Sequence, residues 1–181
     1  MRTFNAATMT ITPRVWIGCL ACYNEGELVG RWYDATAAED VLPSDLHGVP
    51  TAHEELWCMD TENMPVTREM DPRTASAWGR AMEAIAPQWR AAWMAWIEDQ
   101  HIDRPDEAPD QQEFNERFAG QYPSFVDYAE MIVSDTGMLD GVPDEIGRYF
   151  DMERYAEDLA HDYIVLDMGY PEFGVWVFNL A

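Results

Sequence analysis

No lysine occurs anywhere in this chain, and its 34 acidic side chains face only 11 arginines, for a net charge of −23. The excess runs along the whole chain. Residues 1–60 hold 9 acids and 3 bases, residues 61–120 hold 12 and 6, and residues 121–181 hold 13 and 2. A compact body carrying this charge repels itself at a cost in stability that something must offset. The material for an apolar core is present: 48% of the residues are hydrophobic, including eight Trp, eight Tyr and seven Phe. That composition excludes a disordered acidic tail. The length of 181 residues suits one domain or two or three small ones. The charge argues against direct binding to nucleic acid or to an anionic membrane surface. No apolar run approaches the ~20 residues that span a bilayer. The opening MRTFNAATMTIT lacks the layout of a signal peptide. With three cysteines that suit a reducing compartment, the expectation is a cytoplasmic protein.

The pattern along the chain predicts an α+β fold. Residues 1–11 read as a lead-in. Two apolar runs, VWIGCLACY and ELVGRWYD, flank Asn24-Glu25-Gly26 and predict a β-hairpin over residues 14–35. A short helix near 36–46 and a third strand over 55–62 follow. Asp71-Pro72 reads as an N-cap with proline at the first helical position. Trp78, Met82 and Ile85 then share one helical face. Pro87 separates this helix from the next, whose stripe of Trp89, Ala92, Trp93 and Trp96 reads as core. DRPDEAPD, residues 103–110, is a polar loop, residues 111–118 a short helix, and FAGQYPSF a turn. Ser124 caps a helix through Thr136, with Asp127 as the acid of a capping box and Gly137 as terminator. Helices from Pro143 to Phe150 and around Met152–Tyr163 precede two closing strands, YIVLDMG and GVWVFNL. The predicted domains are 12–70 (a small antiparallel sheet with short helices), 71–118 (helical) and 119–181 (α+β).

Cys19-x-x-Cys22 is a spacing shared with zinc half-sites and redox pairs. On a hairpin strand the two side chains would point to opposite faces, roughly 10 Å apart at ~3.3 Å per residue, beyond disulfide reach. A structural zinc site needs four ligands, usually from two such pairs, and Cys58 is the only other cysteine. The expectation is therefore three cysteines packed as small apolar residues, with no metal and no cofactor.

Catalytic signatures are thin. His53-Glu54-Glu55 is not His-Glu-x-x-His, because position 57 is Trp. His47, His101 and His161 are scattered. Phosphate loops, nucleophile elbows and dinucleotide fingerprints are lacking, and with so many acids a carboxylate pair says little about acid–base chemistry. The reading is a protein that is not an enzyme. Asp99, Asp135, Asp158 and Asp162 fall in the last turns of predicted helices, where the dipole disfavours a negative charge by roughly 0.3–1 kcal/mol. They are either solvated and screened or placed for the charge itself. Duplex DNA carries one charge per ~1.7 Å of axis, so −23 matches about 12 base pairs. Carboxylates on the outside of a folded body would present a field like that of DNA to a groove lined with Lys and Arg. Adaptation to high salt is the rival explanation, and 13% aromatics argues against it.

Four pieces, in order, carry a resemblance: PRVWIGCLACYNEGELVGRWYDA, EELWCMDTENMP, RFAGQYPSFVDYAE and GMLDGVPDEIGRYFDMERYAEDL. From about Thr12 to the end the chain resembles the ArdA family of antirestriction proteins, and the fourth piece looks like the family's antirestriction motif. The resemblance implies an elongated three-domain chain that dimerises and mimics bent DNA. It implies occupation of the DNA-binding groove of type I restriction–modification enzymes, with no reaction catalysed. It also implies carriage on mobile genetic elements, and a Cys-x-x-Cys that is incidental.

The candidate DNA-mimic acids are Glu98, Asp99, Asp103, Asp106, Glu107 and Asp110 in the middle of the chain. In the last third they are Asp127, Glu130, Asp135, Asp140, Asp144, Glu145, Glu153, Glu157, Asp158 and Asp162. Met138, Leu139, Val142, Ile146, Tyr149 and Phe150 are too apolar to imitate phosphates, and read either as core or as a homodimer contact. The partner expected is a type I restriction–modification enzyme. Two other classes stay open: an acidic adaptor for a different basic DNA-binding protein, and a halophilic or metal-binding enzyme.

Overall fold

The computed structural model describes residues 11–100, 108, 111–169 and 171–180. It divides into two compact units, Met1–Gln111 and Gln112–Ala181. Each is built around its own three-stranded antiparallel sheet, and the α+β class is as the sequence predicts.

The first sheet has the order β2-β1-β3, with β1 at Arg14–Cys19, β2 at Gly30–Asp34 and β3 at Leu56–Glu62. Central β1 pairs with β2 from Arg14↔Asp34 to Gly18↔Gly30. That register leaves eleven residues between the paired Gly18 and Gly30, too many for a tight hairpin turn. The chain fills the gap with a helical turn, α1 at Leu20–Asn24, which replaces the expected continuation of the strand. Cys19 therefore ends β1 and Cys22 lies three residues on within a helical turn. Residues three apart share a side of a helix, so the expected opposite-face placement of the two cysteines is wrong.

Short α2, Pro43–His47, precedes β3. Helix α3, Pro72–Ala84, starts where Asp71 accepts hydrogen bonds from the backbone N–H groups of Arg73 and Thr74. Burial works against that carboxylate, but the hydrogen bonds from Thr74 and Arg73 prevail and hold its pKa below the ordinary range. Helix α3 lies close on the 3-10 segment Ala35–Asp40. A Cβ at Gly79 would come within 2.7–2.9 Å of the Thr36 and Ala35 backbone, and Ser76 donates to the Ala35 carbonyl. After a 3-10 turn at Pro87–Trp89 comes α4, Arg90–Asp99, whose Trp93, Trp96 and Ile97 are buried with Trp78, Met82 and Val15. Ala92, Trp93 and Trp96 of the stripe are core, as their spacing predicts, whereas Trp89 ends the 3-10 turn and is half-buried.

The second unit opens with α5, Gln111–Arg117. Its sheet has the order β4-β6-β5, with β4 at Phe118–Tyr122, β5 at Tyr163–Asp167 and β6 at Val175–Asn179. Strand β4 corrects the expected turn at FAGQY, because Gly120 hides a strand that the central β6 requires as its second partner. Four consecutive residues of β6, Val175–Phe178, are buried, since both faces of the strand are covered. On one face Val175 and Val177 meet Tyr128 of α6, Phe125–Thr136. On the other, Phe178 meets Phe114 and Phe118 at ring separations of 6.1 and 5.2 Å. Ser124 caps α6 through the Asp127 N–H, and Gly137 closes it in the left-handed conformation. A short α7, Asp144–Gly147, and then α8, Met152–Leu159, lead into β5.

Candidate functional site

Of the sixteen acids singled out in the sequence, Asp103, Asp106, Glu107 and Asp110 lie outside the described residues. The other twelve are all exposed. The helices explain why. On α6 the apolar positions Tyr128, Ala129 and Val133 turn inward, which leaves Asp127, Glu130 and Asp135 on the solvent side. On α8 only Ala156 is buried, and Glu153, Glu157 and Asp158 face water. Asp140, Asp144 and Glu145 stand on the turns and on α7 between them. No base occupies the last turn of α4, α6 or α8, so Asp99, Asp135 and Asp158 stand near negative helix ends that no Lys or Arg of the same turn offsets. Arg154 approaches Glu157 at 3.9 Å and Asp158 at 3.8 Å, with all three side chains about 70% exposed. Pairs of that kind contribute about 0–1 kcal/mol and leave the surface strongly negative.

Sequence reasoning stopped short in two places. It named no acid in the first sixty residues, yet Glu25, Glu27, Asp34, Glu39, Asp40, Asp45, Glu54, Glu55 and Asp60 are every one exposed. In the second unit Glu116, Asp151, Asp167 and Glu172 are exposed as well. The whole unit 112–181 has 15 acids against 3 arginines. The signal was simply the count, spread too evenly to single out positions.

None of the six apolar residues of the 138–150 segment is buried. Met138, Ile146 and Tyr149 are 45%, 62% and 85% exposed. Leu139, Val142 and Phe150 are half-buried, with the Phe150 ring 5.7 Å from that of Tyr155. Leu139 and Val142 border a shallow groove with Asp144, Gly147 and Arg148.

A second cluster lies in the first unit. Cys19, Cys22, His47 and His53 bring one sulfur or ring nitrogen each to within 4.8 Å of one another. The His53 Nδ1 is 3.2 Å from the Cys19 Sγ and 3.4 Å from the Cys22 Sγ, and the His47 Nε2 is 3.8 Å from the Cys22 Sγ. Both cysteines are buried and both histidines half-buried. Burial first, then neighbouring Cys19, Glu27 and Glu25, push the Cys22 thiol above its ordinary range. The other cysteine, Cys58, is apart from this group, and burial raises it to about 12.

The family model described as Antirestriction protein (ArdA) matches residues 15–172. The chain belongs to the ArdA family. Membership carries an antirestriction function, and ArdA proteins are inhibitors of restriction enzymes rather than catalysts. The match takes in the first sheet, the Cys/His cluster and the 138–150 segment. No match to a curated protein was found. No helix among the described residues is long and apolar enough to cross a membrane.

Proposed function

We propose that this ArdA-family chain is a DNA mimic that occupies the DNA-binding groove of type I restriction–modification enzymes and excludes DNA by competition. The observation that supports the reading most is that all twelve described candidate acids face solvent. Carboxylates so placed stand in for phosphates, and the basic groove of the enzyme's specificity and methyltransferase subunits supplies the counter-charge. An association of this kind is fast and weakens as salt rises. The 138–150 segment supplies a homodimer contact in this reading, because exposed Met138, Ile146 and Tyr149 offer apolar area that phosphate mimicry does not use. Dimerisation would double the charge presented. The protein acts in the cytoplasm of a bacterial host and protects incoming mobile DNA.

The test is displacement. A purified type I methyltransferase is bound to labelled duplex at physiological salt and titrated with the protein. Release of the duplex near one dimer per enzyme, weakening with added salt, is the expected result. Failure to displace at large excess would sink the reading, and a parallel titration of another basic DNA-binding protein would then test the acidic-adaptor alternative.

A further inference from the structure

We propose that Cys19, Cys22, His47 and His53 form a structural zinc site that ties together the first unit of the protein. The argument starts from spacing. Cys19-x2-Cys22 followed by His47-x5-His53 falls within the range of Cys-x2–4-Cys and His-x3–5-His pairs of structural zinc sites, although the 24 residues between the pairs exceed the usual finger. Those 24 residues contain β2 and all of α2 but its last residue, His47, so the site is assembled by a sheet rather than by a finger.

Geometry carries it further. Zinc–sulfur bonds of about 2.3 Å and zinc–nitrogen bonds of about 2.0–2.1 Å in a tetrahedron place sulfur roughly 3.5 Å from nitrogen. The observed sulfur–nitrogen distances of 3.2, 3.4 and 3.8 Å bracket that value. The imidazole rings of His47 and His53 stand 5.1 Å apart and nearly perpendicular, at 78°, so they approach the sulfurs from different directions. Thiol–imidazole hydrogen bonds join the four side chains only in pairs, Cys19 with His53 and Cys22 with His53 or His47, whereas one cation satisfies four donor atoms that lie within 4.8 Å of one another. Mixed thiolate and imidazole donors in a tetrahedral set select zinc among the common divalent ions. Four protein ligands close the shell, which makes the site structural rather than catalytic.

The backbone holds each donor independently of any ion, Cys22 through its carbonyl, which accepts from the Glu27 N–H at 2.8 Å. The Cys19 N–H donates to the Val29 carbonyl at 2.9 Å, and the Leu20 N–H to the Glu55 carbonyl at 3.1 Å. His47 is the last residue of α2, and Gly48 takes the left-handed conformation that ends the helix. The His53 N–H donates to the Thr51 hydroxyl at 3.1 Å. Zinc bound here would link the end of β1, α1, the end of α2 and the segment leading into β3. Two thiolates neutralise the ion, so the site leaves the charge of −23 unchanged while cross-linking a unit that repels itself.

Elemental analysis of the purified full-length chain is expected to give about one zinc per chain. Cobalt(II) added to chelator-treated protein should produce the visible absorption of a tetrahedral cobalt–thiolate centre, and zinc should raise the thermal midpoint of the stripped protein. Cys22→Ser or His47→Gln should weaken binding by more than the roughly 10–100-fold that loss of an outer hydrogen-bond partner costs. Cys58→Ser, outside the cluster, should bind normally. Folded wild-type protein that shows neither a cobalt spectrum nor a shifted midpoint after metal addition would overturn the proposal, whatever the variants do. So would zinc binding that survives both Cys22→Ser and His47→Gln.

Discussion

Arg90 is a buried cation in a protein short of cations. Its guanidinium is spent on the backbone: Nη1 donates to the Ile11 carbonyl at 2.8 Å, Nε to Ile85 at 3.3 Å and Nη2 to Glu83 at 3.4 Å. The last two carbonyls belong to the end of α3, which has no base of its own in its final turn. Only a planar fork reaches three carbonyls in three directions. A lysine ammonium, with one nitrogen, would strand at least one of them. Arg90→Lys is therefore expected to lower unfolding stability by about 2 kcal/mol, the range of a hydrogen bond to a charged group. Urea denaturation should show a lower midpoint at an unchanged slope; an unmoved midpoint would mean the fork is dispensable. Nothing in the sequence marks Arg90, because its partners are main-chain atoms brought together by tertiary packing. Asp71 was legible, since a cap and its proline are neighbours in the chain. Cys19 and Cys22 were legible as a pair but not as a site, because the reading sought a second pair of cysteines and passed over His47 and His53.

At the scale of elements, local signals succeeded where partners were local. Helices α3 and α6 begin at the expected capping residues, Asp71 and Ser124. Strands β3, β5 and β6 fall where alternation or apolar runs place them. The misses were non-local. Strand β4 exists because β6 needs a second edge partner, and α1 exists because the β1–β2 register leaves a long connection to fill. The 138–150 segment is the element whose role the single chain leaves open. Backbone hydrogen bonds hold it locally, from Asp140 to Gly137, Val142 to Leu139, Ile146 to Pro143 and Phe150 to Gly147. Its side chains therefore make little contribution to the core, and Tyr149 is 85% exposed. A charge at that position should cost the monomer less than ~0.5 kcal/mol, as an ordinary surface change does. If the segment joins two copies, Tyr149→Glu should shift the mass measured by light scattering from dimer to monomer without changing the circular dichroism spectrum. A variant that remains a stable dimer would remove the segment from the interface.

For the whole molecule the question is whether inhibition resides in a few contacts or in a field. The acids were countable from the sequence, and folding adds that they face outward. Their distribution is the decisive fact: in the second unit α6, α7, α8 and the turns between them all carry some of them. An exposed charge pair contributes about 0.2–1 kcal/mol, so Asp127→Asn alone should weaken inhibition by less than about fivefold, the factor that 1 kcal/mol represents. Separated sites add. Replacing Asp140, Asp144, Glu145, Glu153 and Glu157 together by their amides should cost on the order of 1–5 kcal/mol. It should also flatten the dependence of inhibition on salt, because fewer screened pairs remain to be weakened. Titrating single and grouped variants against a type I enzyme at two ionic strengths separates the alternatives. A gradual loss that tracks the number of charges removed fits a phosphate-like field. Abolition of inhibition by one substitution, with the salt dependence intact, would mean that a single recognition contact carries the binding and that the remaining acids serve another end.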